Sequence, residues 1–260
     1  YQLPLGVVGI AVAIVLLPEL ARALKAGDDA EASNLQNRSV EFTLFLTLPA
    51  AAALLVLAEP IVRVLYERGQ FAAMNSTPVV SAVLSIFALG LPAFVLIKAF
   101  TPGYFAREDT RTPMIFAAIS VAANISTALV LFPSMGAPGI AVASAIAGWI
   151  NATLLFSVLV RRGHWGTDRG LMKRIPLLTF CAVLMAVALH YASGWLEPWL
   201  RAEATLPEQA GALALLTAGG AALYFALAFG TGGVDLRMVL RSVRRRPGQA
   251  APAAPDDIAP

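Results

Sequence analysis

Charge is what this sequence has least of. Aspartate, glutamate, lysine and arginine make up 13% of its 260 residues, whereas apolar residues supply 58% and the mean hydropathy is +0.73. A soluble domain carries about twice that share of charge, so the balance excludes a soluble α/β enzyme and a disordered chain alike. Cysteine is almost missing. Cys181 stands alone in the run TFCAVLMAVAL, which rules out an internal disulfide and a thiolate metal cluster and leaves a small core hydrophobe. The two histidines, His164 and His190, have no HExxH or HxxxH spacing, and GxSxG, paired intramembrane acids and a glycine-rich phosphate loop are all absent. His164 beside Trp165 reads as an interfacial aromatic pair. The first apolar run begins directly at Tyr1, with neither a basic n-region nor a small-residue cleavage site before it; the expectation is a fragment lacking an N-terminal part.

Seven apolar runs occupy the chain, near residues 3–21, 42–58, 78–99, 113–133, 138–160, 175–196 and 209–230. A bilayer-spanning helix uses ~20 apolar residues, and seven such runs in succession leave no polar surface to cover a soluble core. The pattern predicts an all-α, polytopic membrane helix bundle. A β-barrel is excluded, because its strands alternate and LALLTAGGAALYFALAF is apolar on every face. Lysine and arginine collect on one side of the alternating loops, from Arg22 and Lys25 through Arg107, Arg111, Arg161 and Arg162 to Arg244, Arg245 and Arg246, while the other side receives Arg63, Arg68 and Arg201. By the positive-inside rule the basic side and the C-terminus are cytoplasmic. The net charge of +3 is thus a topology signal, and no nucleic acid is implied.

Several segments invite particular readings. Pro4, Gly6, Gly9 and Pro18 in the first run mark either a packed kink or a helix bordering a transport cavity. KAGDDAEASNLQNR reads as a solvated connector. Ile61, Val64, Leu65 and Phe71, opposite Arg63, Glu67 and Arg68, suggest an amphipathic interfacial helix ending at Gly69. Glu41 and Lys98 are expected near span ends, snorkelling to the interface. The polar residues inside the runs are neutral: Gln2, Asn124, Ser126, Thr127, Ser144 and Asn151. These can bridge helices by hydrogen bonds, and Asn124 with Ser144 on adjacent helices can alternatively ligate a cation. Gly136, Gly139, Ala143 and Gly148 would let helices approach closely. A passage for a large, partly greasy substrate fits this inventory better than a proton pump or a redox chain.

Three segments carry a family resemblance: YQLPLGVVGIAVAIVLLPEL (1–20), LPAFVLIKAFTPGYFAREDTRTP (91–113) and GAPGIAVASAIAGWINATLL (136–155). They closely resemble the MurJ (MviN) lipid II flippases of the multidrug/oligosaccharidyl-lipid/polysaccharide exporter superfamily. The resemblance implies fourteen helices, in two six-helix lobes plus two extra C-terminal helices. This chain corresponds to most of the eighth helix and the ninth to fourteenth. Residues 1–160 would belong to the second lobe, 161–232 to the extra pair and 233–260 to a basic, then Pro/Ala-rich cytoplasmic tail. The implied activity is transport and not catalysis: movement of lipid II, an undecaprenyl-pyrophosphate-linked muropeptide, from the inner to the outer leaflet of the bacterial cytoplasmic membrane by alternating access. The implied partners are lipid II, membrane lipids and the N-terminal lobe of the same protein. Another lipid-linked oligosaccharide or a drug as cargo, and an inactive scaffold for wall synthesis, are the alternatives.

At residue level, the resemblance places Gln2 at a cavity-facing position and puts the helices 175–196 and 209–230 around a groove for the polyprenyl tail. No cofactor is implied apart from a sodium ion, for which Asn124 and Ser144 match ligand positions; Ala128 stands where a carboxylate would be needed. Arg107, Glu108, Asp109 and Arg111 are read either as gate or interlobe salt bridges or as a solvated topology signal.

Overall fold

The computed structural model describes residues 2, 5–166, 168–201 and 204–231. Pro4 and the tail 233–260 lie outside them. Among the described residues every regular element is helical. A π-helical turn, Leu5–Gly9, runs into α1 (Ile10–Lys25). There follow α2 (Asp29–Val56), α3 (Ala58–Tyr66), the single turn α4 (Gln70–Ala73), α5 (Thr77–Phe105), α6 (Arg111–Met135), α7 (Ala137–Arg161), α8 (Arg169–Trp195), the short α9 (Glu197–Leu200) and α10 (Leu206–Gly230). Six of these, α2, α5, α6, α7, α8 and α10, are long and apolar enough to cross a membrane, and they coincide with the second to seventh apolar runs. The chain is a multi-pass membrane protein.

The helices form a row, α6–α7–α5–α2–α8–α10, with α1 lying across α2 and α5. At its centre, Val95, Ala99, Phe100 and Tyr104 of α5 meet Val40 and Leu44 of α2 and Leu155 and Leu159 of α7. The Tyr104 hydroxyl donates to the Leu155 carbonyl at 2.6 Å, which satisfies a buried polar tip in an apolar setting. A second core joins Phe45 of α2 to Leu178, Met185 and Leu189 of α8 and Leu216 and Tyr224 of α10. Cys181 is buried there, as expected of a small hydrophobe. Gly220 lets α10 close on α8, since a Cβ would sit 2.9 Å from Leu189.

The polar stretch before the second run is not a solvated connector. Asp28 caps α2 by accepting the Glu31 N–H at 2.9 Å, and the helix then carries Gln36, Asn37 and Glu41 into the bundle as buried residues. Apolar periodicity misses this because the buried face is polar. Glu41 does not snorkel either: its carboxylate, 7% exposed, accepts two bonds from Arg174 Nη1 at 2.8 and 2.9 Å, tying α8 to α2.

The amphipathic helix forms as α3 but stops at Tyr66, with Val62 and Val64 buried and Leu65 exposed. Arg63 is turned partly inward, bonded to Glu59, to Glu67 and to the Leu200 carbonyl at 3.0 Å. Trp165 is no interfacial residue. It is buried edge-on against Phe100 and Phe156. Of the small residues, Gly139 admits the Leu131 backbone and Gly148 admits Phe94. Gly136 instead makes the one-residue turn between α6 and α7 at φ +62°, a conformation that disfavours any side chain.

Candidate functional site: a membrane-level cavity and the loop cluster beneath it

Where the π-helical turn, α5, α6 and α7 converge, they line an open cavity of about 450 Å³ whose residues include Leu5, Phe94, Lys98, Ser120, Asn124 and Ser144. The two polar residues expected on adjacent helices do meet there. Asn124 Nδ2 donates to Ser144 Oγ at 3.1 Å, and Ser144 Oγ donates back to the Ile140 carbonyl at 3.0 Å. Ser120, the sole buried residue of α6 among those described, donates to the Ala147 carbonyl at 2.7 Å.

Lys98 stands where the apolar run 78–99 closes, short of the end of its helix. Helix α5 continues through Thr101, Pro102 and Gly103 to Phe105, so seven residues, or roughly 10 Å of helix, lie beyond it. Its stem lies against Gly9, where a Cβ would come within 3.1 Å of Lys98 Cγ, and the side chain is exposed at the cavity. Among the described residues no carboxylate pairs with it, and the cavity lining contains none. Gln2 is helical and exposed.

The loop Arg107–Arg111 resolves into distinct roles. Asp109 accepts from both the hydroxyl and the backbone N–H of Thr112, at 2.6 and 3.0 Å, and pairs with Arg162 at 2.6 Å, locking the start of α6 to the end of α7. Arg107 donates to the Gly103 carbonyl at 2.8 Å and, more weakly, to that of His164 at 3.5 Å. Glu108, at φ +60°, and Arg111 are exposed, with no ion pair among the described residues. The segment after α7 straps back onto α2: the Gly166 carbonyl accepts from Ser33 Oγ at 2.9 Å and Asn37 Nδ2 at 2.6 Å. A second cavity of about 770 Å³ lies under this strap, where Asp29 and Asp168 balance Arg107 and Arg162. Burial, and then the charges of Arg107 and Arg162, push the His164 imidazole below its usual value, so it is neutral near neutral pH.

The Thr112 hydroxyl and N–H, followed by Arg162, hold the Asp109 carboxyl down at about 2. A depressed carboxylate stabilises the fold above its ordinary value of 3.8 and loses that contribution as pH falls toward about 2. Asp109→Asn is expected to flatten the pH dependence of thermal unfolding across this acid window and to cost ~0.5 kcal/mol near neutrality, since the amide can still accept from Thr112 but no longer pairs its charge with Arg162. An unchanged acid limb in differential scanning fluorimetry of detergent-solubilised protein would contradict this.

The family model described as Lipid II flippase MurJ matches residues 1–206. The chain belongs to the MurJ lipid II flippase family. It is 66% identical over 245 residues to the probable lipid II flippase MurJ of Rhizobium meliloti (strain 1021), covering 94% of this chain and 46% of that protein. It is 53% identical over 254 residues to the probable MurJ of Rhizobium tropici, covering 97% of this chain and 48% of that one. The chain therefore spans about half the length of the curated relatives it matches. A solved lipid II flippase MurJ in an inward closed conformation shares the fold, with a TM-score of 0.65 and 24% identity over 86% of this chain and 45% of that structure.

Sequence reasoning did not find the Glu41–Arg174 pair, the buried Trp165 or the strap at Gly166. An acid just before one apolar run and a base just before another was the only available signal for the first. The indole at Trp165 stands three positions after the charged residues Arg161 and Arg162, beyond Gly163 and His164, which makes a buried ring look like a loop residue.

Proposed function

We propose that this chain contributes the second lobe (1–160), the extra helix pair (161–232) and a cytoplasmic tail (233–260) of a MurJ protein that flips lipid II from the inner to the outer leaflet of the cytoplasmic membrane. The observation that carries the reading is the family match over residues 1–206. The shape of the site agrees: a cavity holding a cation and neutral amide and hydroxyl groups suits a polar, anionic headgroup. The exposed apolar faces of α8 and α10, at Phe180, Val183, Val187 and Leu215, offer area for a polyprenyl tail, which needs only apolar contact. Alternating access would rock this lobe against the N-terminal one, with Gln2 facing the shared cavity and with the exposed Glu108 and Arg111 free to pair across lobes in one state. The role is transport and not catalysis, with the C-terminus cytoplasmic, as the arginine-rich loops favour.

The residues present do not fit a sodium ion. Ala128 supplies no side-chain oxygen, the lining holds no carboxylate beside Asn124 and Ser144, and the charge there is the cation of Lys98. Coupling to the membrane potential is the reading we adopt. The full-length protein is expected to restore wall synthesis in cells depleted of their own lipid II flippase, at a rate insensitive to sodium. Loss of growth despite normal membrane expression would count against the function, and a sodium-dependent rate against the coupling.

A further inference from the structure

We propose that the cavity of about 770 Å³ under the strap binds the headgroup of a phosphatidylethanolamine molecule, its phosphate taken by Arg107 and its ammonium by Asp29, Asp168 and the Asn37 amide oxygen. The site is separate from the membrane-level cavity and does not depend on the cargo. Its lining comes from the first turns of α2, the segment after α5, the end of α7 and the strap. The spans α2, α5, α7 and α8 all begin or end there, which is the level at which lipid headgroups lie. Acceptors in this lining lack donors. Asn37 is 6% exposed and gives Nδ2 to the Gly166 carbonyl at 2.6 Å, while its Oδ1 has no partner. A buried acceptor left unpaired is costly, so it calls for a donor from outside the protein. Asp29 and Asp168 line the same cavity, and among the described residues neither carboxylate is in an ion pair.

The two guanidinium groups differ in what they can still offer. Arg162 gives Nη1 to Asp109 and Nη2 to Thr112, whereas Arg107 makes one short bond, at 2.8 Å to the Gly103 carbonyl, and a long one at 3.5 Å to that of His164. Arg107 is therefore the group with donors to spare for a phosphate. Asp29 lies near enough to act on its charge, so an anion site and a cation site are neighbours, as the two ends of phosphoethanolamine are. The lining also discriminates among headgroups. Two acids against two arginines leave no net formal charge, which matches a zwitterion; the anionic phosphatidylglycerol would leave both carboxylates unpaired beside its own charge. Choline has no N–H to give and is recognised by aromatic cages, but apart from the His164 ring no aromatic residue lines the cavity. The three N–H donors of an ethanolamine ammonium meet what Asp29, Asp168 and Asn37 lack.

The test uses the full-length protein in detergent, titrated with short-chain phosphatidylethanolamine, phosphatidylcholine and phosphatidylglycerol and read by native mass spectrometry. Wild type is expected to prefer phosphatidylethanolamine over the other two about tenfold. Glycerophosphoethanolamine, the headgroup without chains, is expected to compete only in large excess. Asp29→Asn combined with Asp168→Asn keeps the shape of the lining and removes its negative charge. This variant should lose the preference for ethanolamine over choline and shift toward phosphatidylglycerol, because Arg107 and Arg162 are then unopposed. Arg107→Gln should weaken both zwitterionic lipids alike. A merely structural role for these side chains would lower stability without reordering the headgroups. Equal binding of the three lipids by wild type would overturn the proposal, and that result decides the matter even if the double variant fails to fold. A folded double variant that keeps the wild-type order would overturn it too. Binding of glycerophosphoethanolamine with no lipid bound would refute the membrane as the source of the guest.

Discussion

Glu41→Ala is expected to destabilise the protein by about 3 kcal/mol, read as a clear drop in the thermal midpoint of the detergent-solubilised full-length protein. The carboxylate is 7% exposed and both its oxygens accept from Arg174 Nη1. Removing it leaves a guanidinium against the α2–α8 contact with its partner gone. The arginine is 34% exposed, so solvent screens part of the penalty and holds it at the low end for a buried pair. The isolated pair need not itself stabilise. Glu41→Leu with Arg174→Met should recover most of the midpoint, because two apolar side chains restore the contact without desolvating a charge. A single variant that unfolds with wild type would show that the pair is a surface interaction.

Gly148→Val should be nearly as damaging and should also impair transport. A Cβ at Gly148 would fall 2.4 Å from Phe94 Cε1 and 2.7 Å from Cδ1. The ring has little room to retreat, since a Cβ built at Gly90 meets its other edge at 2.9 Å and the Ala145 backbone at 3.1 Å. Phe94 thus lies in a slot between two glycines, and filling either side forces α5 and α7 apart, at about 1–3 kcal/mol. Phe94 and Gly148 both line the cavity that holds Lys98 and Asn124, so the displacement would change its shape. Gly148→Ala should be milder in midpoint but share the transport defect. Normal flipping by Gly148→Val at wild-type expression would refute the link between slot and cavity.

The spans were legible from apolar runs alone because hydrocarbon imposes one requirement on every helix that crosses it. That requirement is silent about polar residues buried inside a bundle. Residues 25–38 look like a connector by composition, yet from Asp29 on they form the first turns of α2, which carries Gln36, Asn37 and Glu41 as buried residues. Glu41 and Arg174 are 133 positions apart, and no local pattern joins them. Asn124 and Ser144 were legible as a pair because 20 residues separate them across one tight turn between adjacent spans, which fixes their depth relative to each other. The apolar run that ends beside Lys98 does not show that the helix continues, whereas α5 carries both Pro92 and Pro102 internally and runs on to Phe105. Of the loop residues 107–111, the sequence showed the charges but not the division of labour, in which Asp109 is consumed by Thr112 and Arg162 while Glu108 and Arg111 remain at the surface.

The single-residue connection at Gly136 bears on how the protein is made. With α6 ending at Met135 and α7 beginning at Ala137, the two spans have no slack to enter the bilayer separately. They must arrive as a preformed helical hairpin, whose contacts are all local and therefore quick to form. Its open end carries Arg111 on one arm and Arg161 and Arg162 on the other, and the Asp109–Arg162 pair fastens the two arms there.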